Sequence, residues 1–278
     1  MRLLTLNTHS LVEENYEQKL VKFVVSIEEL QPDIIALQEV NQSADATMIR
    51  QENVFHFYPC AESIPLRTDN HMYRAAQLLK ERGFDYYWTW LGMKRSYEKY
   101  EEGLGLFSRS EIVETDIACI SKTDDYENWK TRKILGIRTK ELPKEWFYSV
   151  HMGWWADEQE PFKDQWMRLE HHLANRQSVW LMGDFNSPAR IVGEGYTLME
   201  EAGWQDSYAL AKQKDSGITV AKAIDGWRDK GDALCGMRMD QIWCNQKKTI
   251  HSSKVVFQGV TEPIVSDHYG VLVESESR

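Results

Sequence analysis

The sequence predicts an α+β protein in which two sheets pack together and helices cover their outer faces. Three observations carry that expectation: many short apolar runs with only a few helical repeats, a strand–helix–strand opening, and no internal repeat or low-complexity linker along the 278 residues. A sheet must bury a face against another layer, so many strands with few helices fit two sheets packed on each other. A chain of this length could fill one large domain or two small ones. With no boundary visible, a single domain over residues 1–278 is expected.

Each element follows in turn. In MRLLTLNTHS, apolar and small residues alternate and then break at Asn7, as a strand reaching a polar edge would. Leu20, Phe23, Val24, Ile27 and Leu30 recur at three- and four-residue steps, the helix period. Pro32 and Asp33 stop that helix, and IIALQEV follows as a continuous apolar strand ending at Glu39. A second helix is expected over Arg74 to Arg82, with Gly83 as its stop. Further strands are expected at GLGLFS, KILGIRT, WFYSVHM, SVWLMGD, MDQIWCN, SKVVFQG and YGVLVES. Helices are expected over Phe162 to Ala174 and Tyr196 to Ala202.

Composition narrows the function. The formal net charge of −10 argues against a broad nucleic-acid footprint, which needs clustered Lys and Arg. Cys60, Cys119, Cys235 and Cys244 form neither a close-spaced zinc pattern nor a dense disulfide framework. Leu3 to Leu6 is too short for a signal core, and no apolar run approaches a membrane span. A cytoplasmic protein without a membrane contact or an obligate protein partner is the expectation. Eleven Trp residues, several in polar company, suit contact with a ligand.

The apolar run VWLM ends on GDFNSPA, with Asp184 and Asn186 two residues apart. Gly, Asp, Asn, Ser and Pro are ordinary turn formers, so a plain turn is one reading. One wall of an active site is the other. Similar polar residues end other strands: Asn7, Glu39 and His151, with Asp240 before QIW and Asp267-His268 before YGVLVES. Alone, Asn7 reads as a turn residue and Glu39 as a strand-end charge. Together they supply oxygen ligands for a hard cation, a base for water and donors for developing charge, the needs of phosphate ester hydrolysis.

In this order, LNTH, LQEV, SVH, GDFN, MDQIW and SDH resemble the motif series of the endonuclease/exonuclease/phosphatase superfamily. Deoxyribonuclease I, apurinic endonucleases, sphingomyelinases and inositol-polyphosphate phosphatases belong to it. The resemblance spans Asn7 to His268 and decides GDFN in favour of a site. It implies a four-layer αββα sandwich, deoxyribonuclease-I-like, with the site at one mouth between the sheets. It further implies Glu39 as the principal Mg²⁺ ligand, with Asn7 and Asp267 close to the same cation; Mn²⁺ could substitute. Asp184 would orient or deprotonate the attacking water, and Asn186 would hold a phosphate oxygen. His268 would contact the phosphate or act as acid/base with its tautomer set by Asp240. His151 would be a further donor. No motif position carries a disabling substitution.

Outside the motifs, YYWTWLGMKRSYEKYEEGLGLFS and HMGWWADEQEPFKDQW are the candidate specificity segments. Trp154 and Trp155 follow His151 and suit a substrate wall; the alternative is that one of them plugs its loop into the core. Asp157 and Glu158 would repel a polyanionic duplex. Arg132 and Lys133 are either phosphate contacts or a surface pair. His9, His56, His71, His171 and His172 match no motif position; His171 and His172 read as solvated, as do Asp124, Asp125 and Glu127. The two segments resemble a bacterial RgfB-like subgroup, to which maltose 6′-phosphate phosphatases are also similar. That resemblance implies a phosphomonoesterase for a sugar phosphate, with a small-molecule ester as partner. A nuclease is the main alternative and is disfavoured by the acidic balance. A sphingomyelinase-like diesterase and a non-catalytic binding module are the remaining classes.

Overall fold

The structure is a computed structural model, and it describes residues 1–61, 64–222 and 236–276. In chain order the elements are β1 (Arg2–Asn7), α1 (Tyr16–Leu30), β2 (Ile34–Ser43), α2 (His71–Glu81), β3 (Tyr87–Ser96), β4 (Tyr100–Ser108) and β5 (Ile112–Cys119). There follow β6 (Lys133–Thr139), β7 (Trp146–His151), α3 (Phe162–Leu173), β8 (Val179–Asp184), α4 (Gly195–Glu201), β9 (Gln205–Asp206) and α5 (Ser207–Leu210). The last are β10 (Gln213–Lys214), β11 (Asp240–Cys244), β12 (Ile250–Val256) and β13 (Gly270–Ser275).

The strands form two mixed sheets. One, of seven strands, runs β10-β12-β13-β1-β2-β4-β3; the other, of six, runs β5-β6-β7-β8-β11-β9. Side chains alternate across each strand and sort the core into layers. Leu3, Ile34, Ala36, Leu106, Phe147, Trp180, Met182 and Ile242 meet between the sheets. Leu4, Leu6, Ile35 and Leu37 face the other way, onto Leu20, Phe23, Val24 and Ile27 of α1 and Met72, Ala75 and Leu79 of α2. Trp146, Tyr148, Val179 and Leu181 pack outward on Phe162, Trp166 and Leu169 of α3. The result is the expected αββα stack. Central strands buried on both faces explain why LLTL, IIAL and VWLM are continuously apolar.

Beneath one end of the stack, polar groups cross the inter-sheet plane. Gln38 Nε2 donates to Ser149 Oγ at 3.0 Å, Ser149 Oγ donates to the Leu37 carbonyl at 2.9 Å, and Thr5 Oγ1 donates to Gln38 Oε1 at 3.3 Å. All four residues are fully buried. Buried polar groups keep their stability only when paired, so this chain of bonds fixes one alignment of the sheets.

Several expectations need correction. α2 begins three residues earlier than the apolar spacing indicated, because Asn70 caps it by accepting from Tyr73 N at 3.1 Å. The stretch from Tyr86 to Ser108 is chiefly the hairpin β3–β4, paired from Tyr87↔Ser108 to Ser96↔Tyr100, and only its tip end reaches the ligand-accessible surface described below. β5 and the two-residue strands were not foreseen. Glu39 lies inside β2 and not at its end. Trp88, Trp90, Trp166, Trp180 and Trp243 are core residues. Cys119 and Cys244 are free thiols, Cys60 Sγ lies 3.0 Å from Thr89 Oγ1, and Cys235 lies outside the described residues. No helix among the described residues is long and apolar enough to cross a membrane.

Candidate active site

At the end of the sandwich above Gln38, a cleft of about 270 Å³ is lined by residues of both sheets. The six-stranded sheet contributes strand ends in plain register. His151 ends β7 opposite Asp184, which ends β8, and Asp184 in turn faces Asp240 at the start of β11. Gly183 allows the approach of β7 to β8 there: a Cβ would stand 1.9 Å from the Val150 carbonyl oxygen. GDFN is both a turn and a wall. Asp184 Oδ1 accepts from the Asn186 backbone N–H at 2.8 Å, closing a turn with Asn186 at φ 46°, while Oδ2 faces the cleft.

The seven-stranded sheet contributes Asn7 from the end of β1 and its other groups from strand interiors. Its β2–β4 register slips between Leu37 and Val40, and its β3–β4 register between Gly92 and Lys94. These are β-bulges, which re-aim side chains near functional surfaces. The first turns Glu39 toward the cleft at φ 51°. Its carbonyl, freed from the ladder, accepts from Ser10 Oγ at 2.7 Å and Thr8 Oγ1 at 3.2 Å, and Ser10 Oγ accepts from Asn41 N at 3.0 Å. The second aims Lys94, whose Nζ lies 3.2 Å from Glu102 Oε1. Gly103 sits between the bulges because a Cβ would stand 2.1 Å from the Leu91 carbonyl oxygen.

Most of the foreseen residues converge. Asn7 Nδ2 donates to Glu39 Oε1 at 2.9 Å and to Asp184 Oδ2 at 3.2 Å, joining carboxylates from the two sheets. In this orientation the Asn7 amide nitrogen, and not its oxygen, meets them; Oδ1 accepts from His9 N at 3.2 Å. Asp184 Oδ2 is also 3.7 Å from His151 Nε2 and 3.9 Å from His268 Nε2. His268 Nδ1 is 2.9 Å from Asp240 Oδ2, the buried pairing that holds its ring. Asp267 lines the outer cleft, half exposed, its Oδ1 3.9 Å from His9 Nδ1. Asn186 lines it too, with Nδ2 donating to the Met152 carbonyl at 3.0 Å. Arg132 is buried against the same cleft, which removes the surface-pair reading for it; Lys133 instead pairs with Asp124 at 2.8 Å.

The two neighbouring tryptophans part company. Trp154 lines the cleft, 5.5 Å from Trp129 at an interplanar angle of 57°. Trp155 packs on Phe162 in the outer core, 6.2 Å between ring centres. Asp157 is no free repulsive charge, since Lys130 Nζ holds it at 2.7 Å. His172 is not solvated either: Nε2 lies 2.7 Å from Asp116 Oδ2.

Lys94, Ser96, Tyr97 and Glu102, all within the first candidate specificity segment, also line the cleft, as do His9 and Trp129, which were not expected there. His9 at φ 47° was discoverable as the residue closing LNTH, next to Asn7 and Thr8. Lys94 and Glu102 carry no local signal, because bulges are invisible in a single sequence.

Electrostatics separates roles. Burial pushes Glu39 up to about 7, with the Glu102 carboxylate adding to it. Burial likewise raises Asp184 to about 6, reinforced by Asp240 and opposed by His268. A base near neutrality suits proton abstraction. Burial opposes charge on His268, yet Asp240 and Asp184 hold it well above the usual histidine value, so it is an imidazolium. His151 is held well below by burial and by the Arg132 and Lys94 charges, so it is neutral. Burial also opposes charge on His9, and its bond to Glu13 with the Asp267 and Glu39 carboxylates raises it to about 9. A divalent ion fits this donor set: Glu39 is a buried carboxyl with a raised proton affinity, its neighbours offer oxygen, and among the described residues no thiol lines the cleft. Among the described residues, Asp184, Asp240 and His268 place ligand-type atoms within 4.8 Å of one another, as do His9, Glu13 and Asp267.

The family model for the endonuclease/exonuclease/phosphatase family matches residues 4–268. An endonuclease/exonuclease/phosphatase family protein from Leptotrichia buccalis is 31% identical, with all of both chains covered and a TM-score of 0.86. A mannosyl-6-phosphatase from Bacteroides thetaiotaomicron is 15% identical over 100% of both chains, TM-score 0.66. TDP2 of D. rerio, complexed with single strand DNA product, is 14% identical over 100% of this chain and 99% of its own, TM-score 0.63. The last two likenesses establish the fold alone. A search of curated protein sequences finds no match.

Proposed function

The chain belongs to the endonuclease/exonuclease/phosphatase family, and on that premise we propose that it is a divalent-cation-dependent phosphomonoesterase for a phosphorylated sugar. At the coarser level, the family's members are metal-dependent hydrolases that include phosphatases and nucleases.

One observation carries the reading: Asp184 Oδ2 sits where Asn7, His151 and His268 all reach it, beside Glu39. Glu39, with Asp267 and an oxygen of Asn7 turned end for end, would hold Mg²⁺ or Mn²⁺. Bound there, such an ion supplies Lewis-acid polarisation of a phosphoryl oxygen and offsets its charge. Asp184 would orient water in line with the scissile bond and take its proton. His268, fixed by Asp240, would stabilise the equatorial oxygens or protonate the leaving group, with neutral His151 and Asn186 completing the cradle.

The sugar reading is supported by the Trp129–Trp154 wall, whose aromatic faces suit the C–H face of a hexose. The mannosyl-6-phosphatase shares this fold, and the acidic charge of −10 disfavours duplex DNA. Purified protein should be assayed with Mg²⁺ and Mn²⁺ against phosphomonoesters, maltose 6′-phosphate and mannose 6-phosphate among them, beside supercoiled plasmid. Metal-dependent phosphate release, stopped by EDTA, with intact plasmid is the expected result. Plasmid nicking without release from any monoester would overturn it.

A further inference from the structure

The wall opposite Asp184 holds two buried cations whose donors are only partly used. Arg132, 5% exposed, gives Nη1 to the Trp129 and Thr131 carbonyls at 3.3 and 3.4 Å, and its buried Nε has no hydrogen-bond partner among the described residues. Its backbone is anchored to Ser121, whose Oγ accepts from Arg132 N at 2.8 Å and donates to the Arg132 carbonyl at 3.2 Å. Lys94, 4% exposed, reaches Glu102 and the Trp129 carbonyl, the latter at 2.9 Å. Both side chains line the same cleft as Glu39, Asp184 and His268.

A buried guanidinium without a carboxylate partner is costly unless something in the working state pairs with it. Burial opposes charge on Arg132, and burial together with Arg132 pushes Lys94 down to about 8. Glu102, Glu39, Asp184 and Asp157 act on Arg132 from a distance and favour its charge, but among the described residues none of them forms an ion pair with it. An incoming phosphate would, because a guanidinium fork matches two phosphoryl oxygens. We propose that Arg132, backed by Lys94, receives two of the three terminal oxygens of a phosphomonoester and so selects dianionic monoesters over singly charged diesters. A monoester carries close to two charges at pH 7, its second pKa being about 6. A diester has one charge, and its second substituent would occupy the place of an oxygen facing Arg132. Arg132 is thus a specificity-determining residue and Lys94 its support. The proposal rests on the phosphoester-hydrolase reading above.

The test uses two substrates with one leaving group, 4-nitrophenyl phosphate and bis(4-nitrophenyl) phosphate, with wild type, Arg132→Met and Lys94→Met in Mg²⁺. Wild type is expected to favour the monoester. Loss of a charge-assisted fork should cut kcat/KM for the monoester by about 100-fold in Arg132→Met and about 10-fold in Lys94→Met. The diester should fall by less than about 5-fold. Equal losses on both substrates, or a diester preference in wild type, would overturn the proposal. Should either variant fail to fold, wild-type inhibition decides: inorganic phosphate should bind at least about 10-fold tighter than dimethyl phosphate, and equal inhibition overturns the proposal. Absence of turnover on both esters in wild type, with Mg²⁺ and Mn²⁺, instead refutes the hydrolase reading on which this one stands.

Discussion

The two sheets furnish the cleft by opposite means. The six-stranded sheet delivers His151, Asp184 and Asp240 from strand ends, in unbroken register, so their positions follow from the ladder itself. The seven-stranded sheet delivers Glu39 and Lys94 from strand interiors, through bulges on either side of β4. Each bulge leaves backbone groups outside the ladder, and the Glu39 carbonyl is recovered by Ser10 and Thr8. One half of the cleft is therefore secured by secondary structure alone. The other depends on side chains that hold an irregular backbone in place.

Substitutions can break or sharpen that contrast. On the regular side, Asp184→Asn keeps the turn acceptor but loses the base. It should lower kcat by about 1,000-fold with unchanged thermal stability, read by steady-state kinetics and melting curves. A drop below about tenfold would remove Asp184 as the base. On the bulged side, Glu39→Gln keeps size and leaves the left-handed backbone alone. The Mg²⁺ needed for half-maximal rate should rise by about 100-fold, and metal titration measures it. Trp154→Ala should raise KM about tenfold for a sugar phosphate and much less for 4-nitrophenyl phosphate. Trp155→Ala, set against Phe162, should instead lower stability by about 2 kcal/mol with KM unchanged. Equal KM effects from both would erase the distinction between wall and plug. Ser10→Ala should give the smallest effect, about 1 kcal/mol of stability with a modest rise in the Mg²⁺ requirement, because the Asn41 N–H loses its acceptor and the Glu39 carbonyl keeps only the longer bond from Thr8. A variant with wild-type melting and metal titration would show that the bulge holds itself.

The same contrast explains what the amino-acid order disclosed. Residues 179–186 announce themselves because an apolar run stops where the ladder stops, so the polar residues after it fall together at one edge. The sandwich itself was legible for a related reason: strands buried on both faces must be continuously apolar. Glu39 was found through its motif and not its geometry, which a shift in pairing partners creates. Lys94 and Glu102 look like surface charges in MKRSYEKYEEG, although both are buried beside the cleft. Arg132 and Lys133 are neighbours with opposite fates, one facing the cleft and one Asp124, at the point where the chain enters β6. His172 reads as solvated until Asp116, distant in sequence, arrives from β5.

Gln38 and Ser149 sit directly beneath this cleft, and their bond spans the plane on which the two jaws meet. Any sliding of one jaw past the other would strand an amide and a hydroxyl in a dry interior, where neither finds water. The jaws consequently keep a constant gap, and a ligand is gauged against a rigid opening whose width was settled when the chain folded.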